Sequence, residues 1–127
     1  MKKVLATLCA LALSAVSVMA GDYPDISIAE LKKAIADKKV VVIDVNGTDS
    51  YKEGHVPTAV NFADVEGNLA SALPKNKDAL VVAYCGGPAC HAYTAAASAA
   101  SKLGYTNVKH LSAGISGWYA AKEPTEK

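Results

Sequence analysis

The most reactive side chains of the chain fall in one short stretch, "AYCGGPACHAY", residues 83–93. Cys85 closes an apolar run, Gly86, Gly87, Pro88 and Ala89 follow, and Cys90 and His91 come next. A thiol in this setting suits a nucleophile. Two glycines let the backbone take positive φ and turn its N–H groups inward. A helix starting near His91 adds unpaired N–H groups and its positive dipole end. Inward-facing amides of Gly86 to His91 around one sulfur would stabilise a thiolate or a persulfide anion and depress the thiol pKa. Such chemistry calls for no metal, no cofactor and no neighbouring carboxylate.

Other readings of the same residues stay open at this point. Cys85 and Cys90 could form a structural disulfide, although so short a loop gains little from chain entropy. Cys-X4-Cys-His is a stretched relative of the haem-attachment pattern Cys-X-X-Cys-His. Zinc would have two cysteines and one or two histidines, without the paired spacing of a zinc ribbon. A phosphatase-like cysteine loop would need an arginine to close it, and the chain contains none: all 13 of its basic residues are lysine. Planar, bidentate recognition of oxyanions is therefore not on offer.

The elements that must position this stretch follow from pattern. Residues 1–20 read as a secretory signal peptide, with Lys2 and Lys3, the apolar run "VLATLCALALSAVSV", and small residues before a cut ahead of Gly21. The run is shorter than the ~20 residues of a membrane span, so the expected product is soluble, without a membrane anchor after cleavage, and periplasmic. It would have 127 − 20 = 107 residues, enough for one domain over 21–127, and 11 lysines against 12 acids, which argues against nucleic acid as a partner. Ser27 with Glu30 forms a capping-box pattern, and Ile28, Leu31, Ala34 and Ile35 predict an amphipathic helix over 28–37. "VVVID", 40–44, and "ALVVAY", 79–84, read as strands buried on both faces of a parallel sheet. Residues 46–59 read as a loop, 59–62 as a short strand, and 64–73 as a short helix weakened by Gly67. An alanine-rich helix is expected over 91–103 with Gly104 as its cap, a strand over 107–111, and a short helix over 114–122. The alternation predicts an α/β domain with a mainly parallel central sheet and helices on both faces. Cys85 then lies at the carboxyl end of a strand, where ligands of open α/β sheets bind.

In this order the segments resemble the rhodanese-like domain family. "VVIDVNGTDSYKEGHVPTAVNF" is similar to its strand, Asp-Val pair and Gly-His-Ile-Pro-Gly-Ala turn. "VVAYCGGPACHAYTAAASAASKLGYTNVKHLSAGISGW" is similar to its cysteine loop, helix, following strand and terminal tryptophan motif. The resemblance spans about residues 25–121. It implies a rhodanese-like fold and a sulfurtransferase in which Cys85 carries sulfane sulfur as a persulfide, with Gly86, Gly87, Pro88, Ala89, Cys90 and His91 as the binding loop. Asp44 and His55 would support the site, Asp44 by accepting backbone hydrogen bonds and His55 by ordering its turn. The sequence departs from the family where basic residues are common: Cys90 and Asn46 stand at places often held by arginine. A small donor such as polysulfide or a persulfide suits an uncharged loop better than thiosulfate, with a thiol as acceptor and a protein partner conceivable. Cys90 is a candidate resolving thiol. The alternatives are a periplasmic dithiol–disulfide protein using Cys85 and Cys90, and a non-catalytic sulfur carrier. For His91 the simplest reading is a solvent-facing residue in the first helical turn, and for His110 a satisfied or surface histidine in a strand.

Overall fold

The computed structural model describes residues 23–127; the expected leader over 1–20 and its cleavage before Gly21 lie outside the described residues. Helix α1 spans Ile28–Ala36. Ser27 Oγ accepts the Glu30 N–H at 3.1 Å, satisfying one orphan donor of the first turn. Its hydroxyl donates to Glu30 Oε1, also at 3.1 Å, so the glutamate answers the side chain of the cap. Asp37 closes the helix one residue short of the expected 28–37, and Leu31 is the residue that α1 buries completely.

The sheet is built from β1 (Val40–Asp44), β2 (Val60–Asn61), β3 (Leu80–Tyr84) and β4 (Val108–His110), all parallel, in the order β2-β1-β3-β4. The β-branched runs take the two central places, where both faces are covered. Helices α3 (Phe62–Val65), α4 (Leu69–Ala72) and α5 (Tyr93–Lys102) cover one face over Ile43, Val81 and Ala83. Ala96, Ala97 and Ala100 of α5 are fully buried there, their small side chains allowing close approach to the strands. The other face carries Val42, Val82 and Tyr84, covered by Leu31 of α1, by Trp118 of α6 (Gly114–Ala120) and by Leu111 from the segment between β4 and α6. This is the expected α/β architecture, with helices on both faces of a parallel sheet.

Several element boundaries differ from the sequence reading. The segment 46–59 is not all loop: it holds helix α2, Thr48–Glu53, between Gly47 and Gly54. The helix expected over 64–73 is broken into α3, a 3₁₀ turn at Glu66–Asn68 and α4. Asn61 accepts the Ala63 N–H and starts α3 early, while Gly67 disfavours a continuous helix across the turn. Helix α5 begins at Tyr93 rather than at residue 91, because Thr94 donates both its N–H and its hydroxyl to the His91 carbonyl and makes a turn there.

Candidate active site

Cys85 follows β3 directly, and only 1% of its surface is exposed. It lies in the core cluster of the α5 face, with Ile43, Ala83 and Tyr93. The loop beyond it is held from behind by the start of α6. Ile115 donates its N–H to the Cys85 carbonyl at 2.9 Å, and Ser116 donates its N–H to the Gly86 carbonyl at 3.0 Å. The Ser116 hydroxyl donates to the same Gly86 carbonyl. The carbonyls of Cys85 and Gly86 are therefore committed to α6, away from the rest of the loop.

This close approach depends on Gly114, which has φ of 61°. A Cβ there would sit 2.5 Å from the Gly87 nitrogen and 2.6 Å from the Gly86 carbonyl carbon, both backbone atoms that cannot swing aside. Gly87 is restricted too, since its Cβ would meet Ser116 Oγ at 2.8 Å. Gly86 is less restricted: a Cβ there would only reach ordinary contact with Asn46 Oδ1, at 3.9 Å.

The second half of the loop is a tight turn. Cys90 donates its N–H to the Gly87 carbonyl at 3.0 Å. The amide of Cys90 is thus spent inside the loop, which corrects the expectation that all amides from Gly86 to His91 face the sulfur. The turn places the Cys85 and Cys90 Cα atoms 6.2 Å apart, and their sulfurs are joined as a disulfide. Such a Cα separation is within the ordinary disulfide range. Pro88 and Ala89 are exposed, Cys90 is partly exposed, and His91 is exposed in the turn before α5 rather than in its first helical turn.

Asp44 and His55 do not touch the sulfurs; both act on neighbouring loops. Asp44 and Tyr84 are register partners on adjacent parallel strands, so their side chains emerge side by side on the α1/α6 face, opposite the Cys85 cluster. Asp44 is fully buried; its Oδ1 accepts the Asn46 N–H at 2.8 Å and its Oδ2 accepts the Tyr84 hydroxyl. Tyr84 Oη in turn accepts the Val56 N–H at 3.0 Å. One carboxylate and one phenol thereby tie the loops after β1 and after α2 to the sheet. Burial, followed by the Asp44 hydrogen bond and charge, pushes the Tyr84 phenol far above its usual range. His55 donates Nδ1–H to the Tyr51 carbonyl at 2.8 Å and stacks on the Tyr51 ring at 3.7 Å. Its backbone exchanges two 2.9 Å hydrogen bonds with Glu126, clasping the tail. The Tyr51 hydroxyl donates to the Ala59 carbonyl at 2.7 Å; its pKa is raised, by burial first and then by Asp44, Asp64 and Glu126.

His110 also differs from expectation. It is buried, stacks flat on Tyr93 at 3.4 Å, and its Nε2 has no hydrogen-bond partner. Burial lowers its pKa; Asp25 opposes the shift and His91 adds to it. Tyr84, Gly114, Ile115 and Ser116 are site-positioning residues that sequence reasoning passed over. The one available signal for Gly114 is its place just ahead of Trp118. Among the described residues, no group of three or more His, Cys, Asp or Glu side chains is placed to hold a metal ion.

Comparison with known proteins adds to this geometry. The family model described as "Rhodanese-like domain" matches residues 27–121. The uncharacterized protein YibN of Escherichia coli is 29% identical over 98 residues, 75% of this chain and 66% of its own length, so the chain spans just under two thirds of that relative. Among solved structures, the BH2092 protein of Bacillus halodurans is 32% identical with a TM-score of 0.69, covering 82% of this chain and 77% of its own. The human single-domain sulfurtransferase TSTD1 shares the fold at a TM-score of 0.62 and 21% identity, covering 78% of this chain and 97% of its own.

Proposed function

Since the chain belongs to the rhodanese-like domain family, we propose that it is a sulfurtransferase whose Cys85 carries sulfane sulfur as a persulfide. The observation that carries the reading is the placement of Cys85: it directly follows a central parallel strand, inside the family-matched segment, in a loop fastened by α6. In the reduced protein the Cys85 thiolate attacks the terminal sulfur of a small donor. An S–S bond forms on Cys85, and the donor leaves one sulfur shorter with the electron pair of the broken bond. An acceptor thiolate then attacks the outer sulfur and restores the Cys85 thiolate. Burial of Cys85 limits access to small donors, and with no arginine in the chain polysulfide or a thiol persulfide suits the loop better than thiosulfate. The sequence pattern of residues 1–20, which reads as a leader, makes export to the periplasm part of this proposal.

Mass spectrometry with turnover tests it. Reduced Cys90→Ser protein, in which no second thiol can discharge the adduct, should gain about 32 Da with polysulfide, one sulfur atom, and should transfer that sulfur to cyanide. The Cys85→Ser variant should do neither. Sulfur transfer that survives loss of Cys85 would overturn the assignment. The Cys85–Cys90 bond favours a second reading, a dithiol–disulfide protein with no sulfur cargo; that protein would never show the adduct on Cys85.

A further inference from the structure

The loop contains a second thiol placed to react with whatever Cys85 carries. We infer that Cys90 resolves the Cys85 persulfide, so that the protein reduces sulfane sulfur to sulfide and is returned to its dithiol state by a dithiol reductant. The inference rests on the persulfide proposed above, and adds an activity that simple sulfur relay lacks.

Three observations carry it. First, the two sulfurs are bonded to each other, so Cys90 Sγ reaches Cys85 Sγ without a change of fold. Second, this reach is set by backbone: the Cys90 N–H bonded to the Gly87 carbonyl fixes the turn, and the Cys85 and Gly86 carbonyls are fixed by Ile115 and Ser116. Third, the two thiols differ in access. Cys85 is buried to 1% exposure, whereas Cys90, which packs on the edge of the same core cluster, is partly exposed between exposed Ala89 and His91.

The step balances as follows. Cys90 loses its proton to solvent, and its thiolate attacks Cys85 Sγ in the protonated persulfide. The Cys85–Cys90 S–S bond forms and the bond from Cys85 Sγ to the outer sulfur breaks. The outer sulfur leaves with that electron pair and its own proton as hydrosulfide. Two thiol sulfurs are oxidised to the disulfide, and the sulfane sulfur is reduced to sulfide. Turnover then requires an external dithiol. Its thiolate attacks Cys90, the more accessible sulfur, and Cys85 departs as a thiolate; the second thiol of the reductant then displaces Cys90, leaving the reductant as a disulfide.

The test uses reduced full-length protein, free of oxygen, mixed with one equivalent of a low-molecular-weight thiol persulfide. Wild type should release about one sulfide per chain and lose about 2 Da as the disulfide closes. Cys90→Ser, which keeps the backbone turn, should hold the adduct of about 32 Da and release sulfide at least tenfold more slowly. Wild type that keeps a stable persulfide, or a Cys90→Ser variant that releases sulfide as fast as wild type, overturns the resolving role and leaves the sulfurtransferase reading standing. If Cys90→Ser instead captures the donor's thiol as a mixed disulfide, or takes up nothing, both readings fall. Sulfide yield from wild type alone keeps the inference refutable should the variant fold poorly.

Discussion

The Tyr84 hydroxyl joins two loops to the sheet, and replacing Tyr84 with Phe removes that oxygen while keeping the ring. The tyrosine is fully buried, so water cannot substitute for it. Two groups lose a partner. The Val56 N–H becomes an orphan donor, at a cost of about 1–3 kcal/mol, and Asp44 loses a donor to its charged oxygen, about 1.5–3 kcal/mol. The two share one oxygen and overlap, so a loss of about 2–5 kcal/mol near pH 7 is expected. A second signature comes from titration. The folded phenol holds its proton well above the ordinary value of 10.0, whereas the unfolded phenol releases it near that value. Above that pH the unfolded chain binds fewer protons than the folded one, so stability falls as pH rises. By about pH 11.5 wild type should have lost about 2 kcal/mol that Tyr84→Phe never had to lose. All other groups are common to the two proteins and cancel in the difference. Urea unfolding of the two proteins, near pH 7 and near pH 11.5, measures both effects. The stability gap should narrow by about 2 kcal/mol at the alkaline end; parallel pH curves would refute the buried Tyr84–Asp44 arrangement.

Gly114→Ala should cost about 2–5 kcal/mol, combining about 1–2 for a left-handed non-glycine residue with about 1–3 for overpacking against the Gly86–Gly87 backbone. A shift in urea midpoint together with slower closure of the Cys85–Cys90 bond is the expected result, and an unchanged midpoint would show that the loop does not lie against α6. His110→Phe keeps the stack on Tyr93 and removes a buried nitrogen without a partner. Because burial lowers the folded His110 pKa, its neutral form is favoured; stability is fully present above the unfolded value of 6.5 and is lost as pH falls below it. The variant should therefore gain over wild type more near pH 5 than near pH 8 in thermal melts, and a gain independent of pH would contradict the assigned cause.

The parts of the fold legible in the sequence are those where one local signal dominates. The β-branched run at 40–44 and the apolar run ending at Tyr84 give the two central strands, and Ser27 marks the start of α1. Short helices were hidden where signals compete. Thr48–Glu53 is under two turns long, lies between glycines and carries turn-forming residues, so its composition reads as loop. The start of α5 has no side-chain cap to mark it, and the His91 turn sits ahead of it. The candidate site splits the same way. Cys85 was found because strand, small residues and helix follow each other in sequence. The grip of Ile115 and Ser116 on the Cys85 and Gly86 carbonyls joins residues about thirty positions apart in the chain, and nothing local announces it. Asp44 and Tyr84 meet only through strand register, which pairs them across 40 positions. Spacing alone left the state of Cys85 and Cys90 open; the Gly87–Cys90 turn brings them within bonding reach.

The unequal fastening of the cysteine loop gives it a mechanical character. From Cys85 to Gly87 the chain is bolted to α6 through two carbonyls and a glycine contact, while from Pro88 to Cys90 it is held by a turn hydrogen bond, the disulfide and the packing of Cys90 on the core. Opening the disulfide therefore frees one end only. Cys85 is the fixed post of the loop and Cys90 its looser end, so breaking the bond between them alters the protein's outer surface while Cys85 stays in place.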